Sequence, residues 1–545
     1  MNAKRFFNTA GPVDCERHYC LPPLGRISLE DVLMLIDQHK YFVLHAPRQT
    51  GKTTCMLALM DYLNRQGRYN CVYCNVEAAQ AAREDVEQGM NDILREIARR
   101  ARLYLKDSFP QDMLSAYLNP GGYGTALAGL FMDWSLRKDR PLVMIMDEID
   151  SLVGDTLISV LRQLRSGYDQ RPSAFPQSII LCGVRDIRDY RIHSDAEKSV
   201  ITGGNAFNIK AKSLRVGDFI ESEVYALLDQ HTEETGQAFE PGTRATVWDL
   251  TRGQPWLVNA LAYEACFESK AGRDRSRTIT APMIQQGAEN LIVRRETHLD
   301  QLADKLKEER VRRVIGPVLS GQIENRDITD DDIQYLTDLG LIRRKPQVEI
   351  SNPIYQEVIP RMLTSTTQDM LPFRSPWYVD NTGRLNMDKL LTAFQTFFRE
   401  HSEHWLERFQ YKEAGPQLLM QAFLQRIVNC GGRIEREYGL GRFRTDLLVI
   451  WPILQDKGER DISQTGILPD WPLQEVVIEL KVRRRESAEA IRTKGLQQTA
   501  DYMDKCHADE GHLIIFDRRP DVTWEDKIFL EQAEYGGKTI RVWGM

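Results

Sequence analysis

The chain has 545 residues, 42% of them hydrophobic and 27% charged, with a formal net charge of −7 at pH 7. That length exceeds one core and points to three or four domains at about 150 residues each, of ordinary globular composition rather than disordered or fibrous. No run of 18 apolar residues spans a membrane, the N-terminus lacks the apolar stretch of a signal peptide, and nine scattered cysteines read as reduced thiols, so the cytoplasm is the expected location.

In chain order, Leu29–Gln38 carries helical periodicity, Tyr41–His45 is a short apolar run of strand type, and Cys55–Met60 resumes a helix. Between them stand Ala46, Pro47, Arg48, Gln49, Thr50, Gly51, Lys52, Thr53 and Thr54. This is the phosphate-binding pattern G-x-x-x-x-G-K-[ST] with Ala46 in place of the first glycine, in the strand-to-helix context that the pattern demands. Backbone N–H groups of such a loop cradle phosphates, Lys52 is expected to reach the β and γ oxygens, and the Thr53 hydroxyl to bind Mg²⁺.

Further strands are expected at Tyr69–Val76, Leu142–Met146 and Ser178–Cys182, with an amphipathic helix over 83–103 and a Pro/Gly break at Asn119–Tyr123. Apolar strands alternating with helices mean a parallel sheet covered on both faces. The strand Leu142–Met146 runs into Asp147 and Glu148. Asp147 is expected to hold the metal at the carboxyl edge of the sheet, and Glu148 to orient or deprotonate the attacking water. Arg185 follows the third strand, where a γ-phosphate sensor would sit; a surface ion pair is the alternative. Cys71 and Cys74 form a CxxC inside an apolar strand, and Cys15 and Cys20 do not complete a zinc site with them, so all four read as thiols. His45 reads as a packed histidine and Glu77 as a helix-entry acid.

From about 206 to 295 helical patterns replace strands, and 300–365 give helices followed by a short β piece, Val348–Ile350. The polar stretch Thr364–Asp369, followed by Pro372 and Pro376, has the composition of a linker.

These features resemble the AAA-like branch of STAND-type and archaeal-type P-loop ATPases over roughly residues 10–365. The match rests on the P-loop, the Asp147-Glu148 strand, Gly183–Asp186, Asn205–Ile209 and Thr251–Trp256. The resemblance implies ATP and Mg²⁺ as cofactors, and a helical lid from which Pro255 contacts the nucleotide. It places Asp14–Tyr19 beside the adenine. It also implies a winged helix (Asp330–Arg344 with Val348–Ile350) acting as a relay, and a homo-oligomer, because sites of this kind often borrow an arginine, here Arg185 or Arg188, from a neighbour.

In the last 150 residues, Gly441–Asp446 leads into the strand Leu447–Trp451, and Val476–Lys481 forms a second strand in which Glu479 and Lys481 share a face. If these strands pair, Asp446 joins them; two carboxylates can hold Mg²⁺ while the lysine positions a water against a phosphodiester. The arrangement resembles the PD-(D/E)XK nuclease superfamily over about 396–545. Asp446 takes the D position, Glu479-Leu480-Lys481 the E-x-K, and Gln498 and Tyr502 a Q-x-x-x-Y helix. Glu413, ahead of the helix Pro416–Val428, is a candidate additional acid. Thr445 stands where proline is usual. The basic run Lys481–Arg485 is the candidate phosphate-binding stripe on an otherwise acidic chain.

The expected fold class is α/β: a P-loop parallel-sheet ATPase core (1–205), a helical lid (206–295), a winged helix (296–365), a linker (366–395) and a restriction-endonuclease-like α/β domain (396–545). The expected function is ATP binding and hydrolysis controlling a Mg²⁺-dependent nuclease with nucleic acid, DNA in the first place, as its partner and no membrane. The resemblance implies a setting such as bacterial defence or mobile-element control. The alternative is a STAND-like switch whose C-terminal domain binds DNA or protein without cutting.

Overall fold

Each apolar strand of the N-terminal half divides its residues between two cores, and that division builds the sheet. The computed structural model describes residues 5–545 apart from 119–121, 186–190, 195–198, 203–206, 295–301, 303, 321–327, 345–347, 371–377, 381, 409–414, 429–432, 437–446, 454–471, 484–486, 509 and 520. It separates into two compact units, Met1–Arg294 with Tyr335–Leu341, and Arg295–Gln334 with Ile342–Met545.

In the first unit β1 (Tyr41–His45), β2 (Asn70–Asn75), β3 (Leu142–Asp147) and β4 (Ser178–Gly183) are joined by helices, including Lys52–Gln66 and Val86–Leu105. A hairpin of β5 (Arg191–Ser194) and β6 (Ser199–Thr202) precedes β7 (Lys210–Arg215). The sheet order is β2-β3-β4-β1-β7, with every pairing parallel. Tyr41, Val43, Leu142, Met144, Met146, Ile179 and Leu181 enter one buried cluster. Their neighbours Phe42, Leu44, Val143, Ile145, Ile180 and Cys182 enter the other. Period-two alternation therefore requires apolar residues at every position of these strands. Each fully buried Val, Leu, Ile or Phe contributes about 1.5–3 kcal/mol of transfer free energy.

The sheet takes its fifth strand, β7, from the stretch read by pattern as the start of the lid. Lys210–Arg215 is half exposed along its length and, among the described residues, pairs only with β1. An edge strand with polar residues on its open side shows little of the apolar run that marks the inner strands. The helices Glu221–Thr235, Thr243–Thr251, Pro255–Tyr263 and Ala281–Arg294 follow.

The helix Glu309–Ser320 of the second unit and the helix Asp330–Asp338, whose residues from Tyr335 on are grouped with the first, precede an antiparallel pair in the second unit, β8 (Ile342–Arg343) and β9 (Glu349–Ile350). The polar stretch read as a linker lies in the last turns of the helix Pro353–Met370. Thr364–Asp369 contains no Gly or Pro, and polar composition alone does not stop a helix. A second helix, Met387–Arg408, begins within the same expected linker, 366–395. Then come the helix Gly415–Val428, β10 (Arg433–Arg436), β11 (Leu447–Pro452), β12 (Leu473–Arg483), the helix Ala488–Cys506, β13 (Glu510–Asp517), β14 (Phe529–Tyr535) and β15 (Lys538–Gly544).

This sheet runs β10-β11-β12-β13-β15-β14. β10, β11 and β12 are antiparallel, whereas β12–β13 and β13–β15 are parallel. Val477, Leu513, Ile515, Ile540 and Val542 pack with Ile491, Leu496, Tyr502 and Met503 of the helix Ala488–Cys506. On the opposite face Phe516 meets Phe394 and Phe398 of the helix Met387–Arg408, at 6.4 and 5.1 Å between ring centroids.

Candidate functional site

The P-loop lies between β1 and the helix Lys52–Gln66, and its conformation depends on one glycine. Gly51 has φ +87°, a region that side chains other than glycine's rarely adopt. A Cβ there would also come within 2.8 Å of Arg26 Nη1. Ala46, the departure from the pattern, is fully buried, and its N–H donates to Gly183 O on β4 (3.2 Å). Its methyl is therefore accommodated without loss of the loop. Lys52, 6% exposed, donates from Nζ to Ala46 O at 3.1 Å, and Thr50 Oγ1 donates to Pro47 O at 2.8 Å.

Asp147 is fully buried at the end of β3. Three donors meet its carboxylate: Thr53 Oγ1 and Tyr73 OH reach Oδ2, each at 2.8 Å, and the Glu148 N–H reaches Oδ1 at 3.0 Å. The P-loop threonine and the β3 aspartate thus stand together, as joint ligation of one Mg²⁺ requires. Glu148 has φ +57°. Burial, the largest cause, raises its pKa; Lys52 opposes that shift, and Asp150 and Asp147 reinforce it. β4 separates β1 from β3, so Arg185, two residues beyond its end, comes off the strand between the P-loop and the acidic pair. Its guanidinium stacks on Tyr335 at 4.9 Å, and Arg188 lies outside the described residues.

Two residues that the sequence reading missed complete the loop's surroundings. Tyr73 holds Asp147 from β2. Arg26 donates to Thr50 O and to Gly217 O and lies over Phe219 at 4.6 Å. Because C=O and N–H point oppositely across a trans peptide, pinning the Thr50 carbonyl turns the Gly51 N–H the other way. Tyr73 had a signal, a hydroxyl in an otherwise apolar strand; Arg26 had none.

Beside the P-loop opens a cavity lined among others by Ala10, Val13, Tyr19, Leu21, Gln49, Gly51, Thr54, Leu227, Pro255, Trp256 and Asn259. Pro255 lines this space. Of Asp14–Tyr19 only Tyr19 lines it; the preceding segment, Asn8–Val13, supplies most of that wall. The segment is fixed by Val13 N–H to Thr54 Oγ1 (3.0 Å) and by Trp256 Nε1 to Thr9 O (2.8 Å). Cys15 and Cys20, expected as thiols, form a disulfide, the turn between them bringing their Cα atoms to 5.1 Å. Cys71 and Cys74 are free and buried.

In the second unit Glu479 is fully buried and ion-paired with Lys481. Both lie on the β12 face that carries Val477, the face covered by the helix bearing Gln498 and Tyr502. Tyr502 is buried there. Asp446, Glu413, Arg484 and Arg485 fall outside the described residues. Among the described residues no group of three or more His, Cys, Asp or Glu is placed to hold a metal, so Glu479 is the one described member of the expected carboxylate pair.

Residues 36–190 match the family described as an AAA domain. Over this segment the chain is similar to AAA-type P-loop ATPase domains. The matched range encloses the P-loop, Asp147, Glu148 and Arg185, while Pro255 and the second unit lie beyond it. Among solved structures the chain is similar to a Walker-type ATPase of Pyrococcus abyssi, with 14% identity, 65% of this chain and 99% of that one covered, and a TM-score of 0.46. It is also similar to Cdc6p from Pyrobaculum aerophilum (13% identity, 64% and 95% covered, TM-score 0.33). A third similar structure is the RuvB Holliday junction branch migration motor of Thermotoga maritima (12% identity, 61% and 95% covered, TM-score 0.32). No curated protein matches the chain. Among the described residues no helix is long and apolar enough to cross a membrane.

Proposed function

We propose that this chain binds and hydrolyses ATP at Lys52, Thr53, Asp147 and Glu148, and that its nucleotide state controls a Mg²⁺-dependent nuclease in the second unit. The observation that carries the ATPase reading is the Thr53 hydroxyl set 2.8 Å from the buried Asp147 carboxylate, with Glu148 next in the chain. The buried carboxylate and the threonine hydroxyl are the hard oxygen donors that Mg²⁺ takes, and a bound Mg²⁺ would neutralise phosphate charge there. The cavity adjoins Gly51 and Thr54 of the loop on one side and Pro255 and Trp256 on the other, where a nucleoside attached to loop-bound phosphates would lie.

The protein's own part in hydrolysis follows from these positions. The loop N–H groups and Lys52 hold the phosphates, and Glu148 accepts a proton from the attacking water. The water oxygen bonds to the γ-phosphorus as the bond to the β,γ-bridging oxygen breaks, giving ADP and phosphate. Phosphate release by the parent chain and by Glu148→Gln tests this. The variant should retain ATP and lose turnover; undiminished turnover would remove Glu148 from the reaction.

Support for the nuclease lies in topology. A helix, three antiparallel strands, a helix and a strand parallel to β12 follow in order, with Glu479 and Lys481 on the face beneath the second helix. The β11–β12 ladder begins at Leu447↔Ile478, the positions adjoining Asp446 and Glu479 in sequence. Plasmid, single-stranded DNA and RNA incubated with Mg²⁺ and the parent chain, Asp446→Ala or Lys481→Ala distinguish the readings. Cleavage lost in both variants supports a nuclease. Binding without cleavage in all three supports the switch that recognises nucleic acid without cutting it.

A further inference from the structure

Asn259 lies on the helix Pro255–Tyr263, is 7% exposed and lines the cavity beside the P-loop. Its Nδ2 donates to Pro255 O, one turn back, at 2.8 Å. That bond decides which way the amide is turned, because the reverse would set Oδ1 against the Pro255 carbonyl, two acceptors with no proton between them. Oδ1 is therefore the atom left over: it is buried and accepts no hydrogen bond from any described residue. Buried acceptors are rarely left in this state, because the desolvated oxygen has lost its water and gained nothing in return.

The cavity supplies no donor of its own at this helix. Gln254 caps it through Oε1, which accepts from Leu257 N–H at 2.6 Å; its buried Nε2 meets no acceptor among the described residues and does not line the cavity, and the neighbours Leu227, Pro255 and Trp256 present apolar surface or an indole N–H already given to Thr9 O. A flat heterocycle entering these walls would meet one unpaired acceptor. Adenine carries an amino group at position 6, a donor; guanine carries a carbonyl oxygen there, a second acceptor. A wall with one fixed acceptor gains a bond with the first and a repulsion with the second.

We propose that Asn259 Oδ1 accepts a hydrogen bond from the 6-amino group of adenine and is the residue by which this site selects adenine over guanine nucleotides. The inference rests on the ATPase reading and adds the base specificity of the same site. It assigns to Pro255 a second part: its carbonyl orients the amide that reads the base.

The test uses the full chain and three competitors that displace a fluorescent ADP analogue: ATP, GTP, and purine riboside triphosphate, which has hydrogen at position 6. The parent should prefer ATP to both others by about tenfold or more, the discrimination typical of a buried polar group left unpaired. Asn259→Leu, close in volume but without an acceptor, should weaken ATP by about that factor while leaving the purine analogue unchanged, so that the ratio collapses toward one. Asn259→Ala gives the same ratio should leucine disturb packing. An equal loss for all three nucleotides would assign Asn259 a structural role and overturn the proposal. A parent that binds the three alike overturns it too, while leaving phosphate binding at Lys52 intact. A parent that binds no nucleotide, matching Lys52→Ala, removes the ATPase reading and this inference together.

Discussion

Glu148 and Arg26 are held by different forces, and each predicts a separate behaviour. Burial raises the Glu148 pKa above the ordinary glutamate value, yet as a general base the group must be ionised. The acid limb of kcat/KM for ATP hydrolysis is therefore expected above the ordinary glutamate range, with activity rising as pH rises through the folded-state pKa. A limb at or below that range would exclude Glu148 as the base. Arg26 acts through geometry: its planar fork spans Thr50 O and Gly217 O, which an ammonium cannot do. Arg26→Gln is expected to weaken nucleotide binding about tenfold, roughly 1.4 kcal/mol, by releasing the Thr50–Gly51 peptide. Arg26→Lys should recover only part of that loss in a direct binding titration, and full recovery would reduce Arg26 to a nearby charge. The P-loop, Asp147 and Glu148 were legible in sequence because their spacing follows a continuous chain. Arg26 and Asn259 were not, because their roles arise from contacts across 24 residues and from an orphaned atom that only packing creates.

At the scale of elements, the N-terminal segment and the helices Glu221–Thr235 and Pro255–Tyr263 form walls of the cavity jointly, and one buried relay joins them. Tyr19 OH donates to His231 Nδ1 (3.0 Å), whose Nε2 meets Gln237 Oε1 (2.9 Å). Burial holds the His231 pKa below its ordinary 6.5, so the ring is neutral and Nδ1 needs Tyr19 as its donor. Tyr19→Phe should cost about 1–3 kcal/mol in urea unfolding by leaving that nitrogen unpaired in the interior. A depressed folded-state pKa also means the unfolded chain takes up the proton first. This contribution is then present above pH 6.5 and is lost as pH falls below it. The sequence announced β1 to β4, since burial on both faces demands an unbroken apolar run. It hid β7, whose polar side is open, and it hid the Asn8–Val13 wall, whose fixing bonds go to Thr54 and Trp256 and leave no periodic trace. The Thr364–Asp369 stretch misled for the opposite reason: its composition is polar, but nothing in it breaks a helix.

Two units on one chain raise the question of whether ATP governs what the second unit does. Lys52→Ala empties the nucleotide site and Glu148→Gln traps it filled, so the pair sets the extremes of occupancy without touching Glu479 or Lys481. If nucleotide state controls the nuclease, cleavage of plasmid by the full chain should move in opposite directions in these two variants relative to the parent. A coupling free energy of 1–3 kcal/mol corresponds to about 5–150-fold between them. Linkage then requires the reverse effect: nucleic acid should shift ATP affinity by the same factor, measurable with the cleavage-deficient Asp446→Ala chain. A nucleotide that binds equally well whichever state the second unit adopts can shift nothing, however tightly it binds. Equal cleavage by Lys52→Ala and Glu148→Gln, with ATP affinity indifferent to DNA, would describe two enzymes sharing a polypeptide. Opposite changes in both measurements would make the P-loop the switch and Lys481 the chemistry it releases.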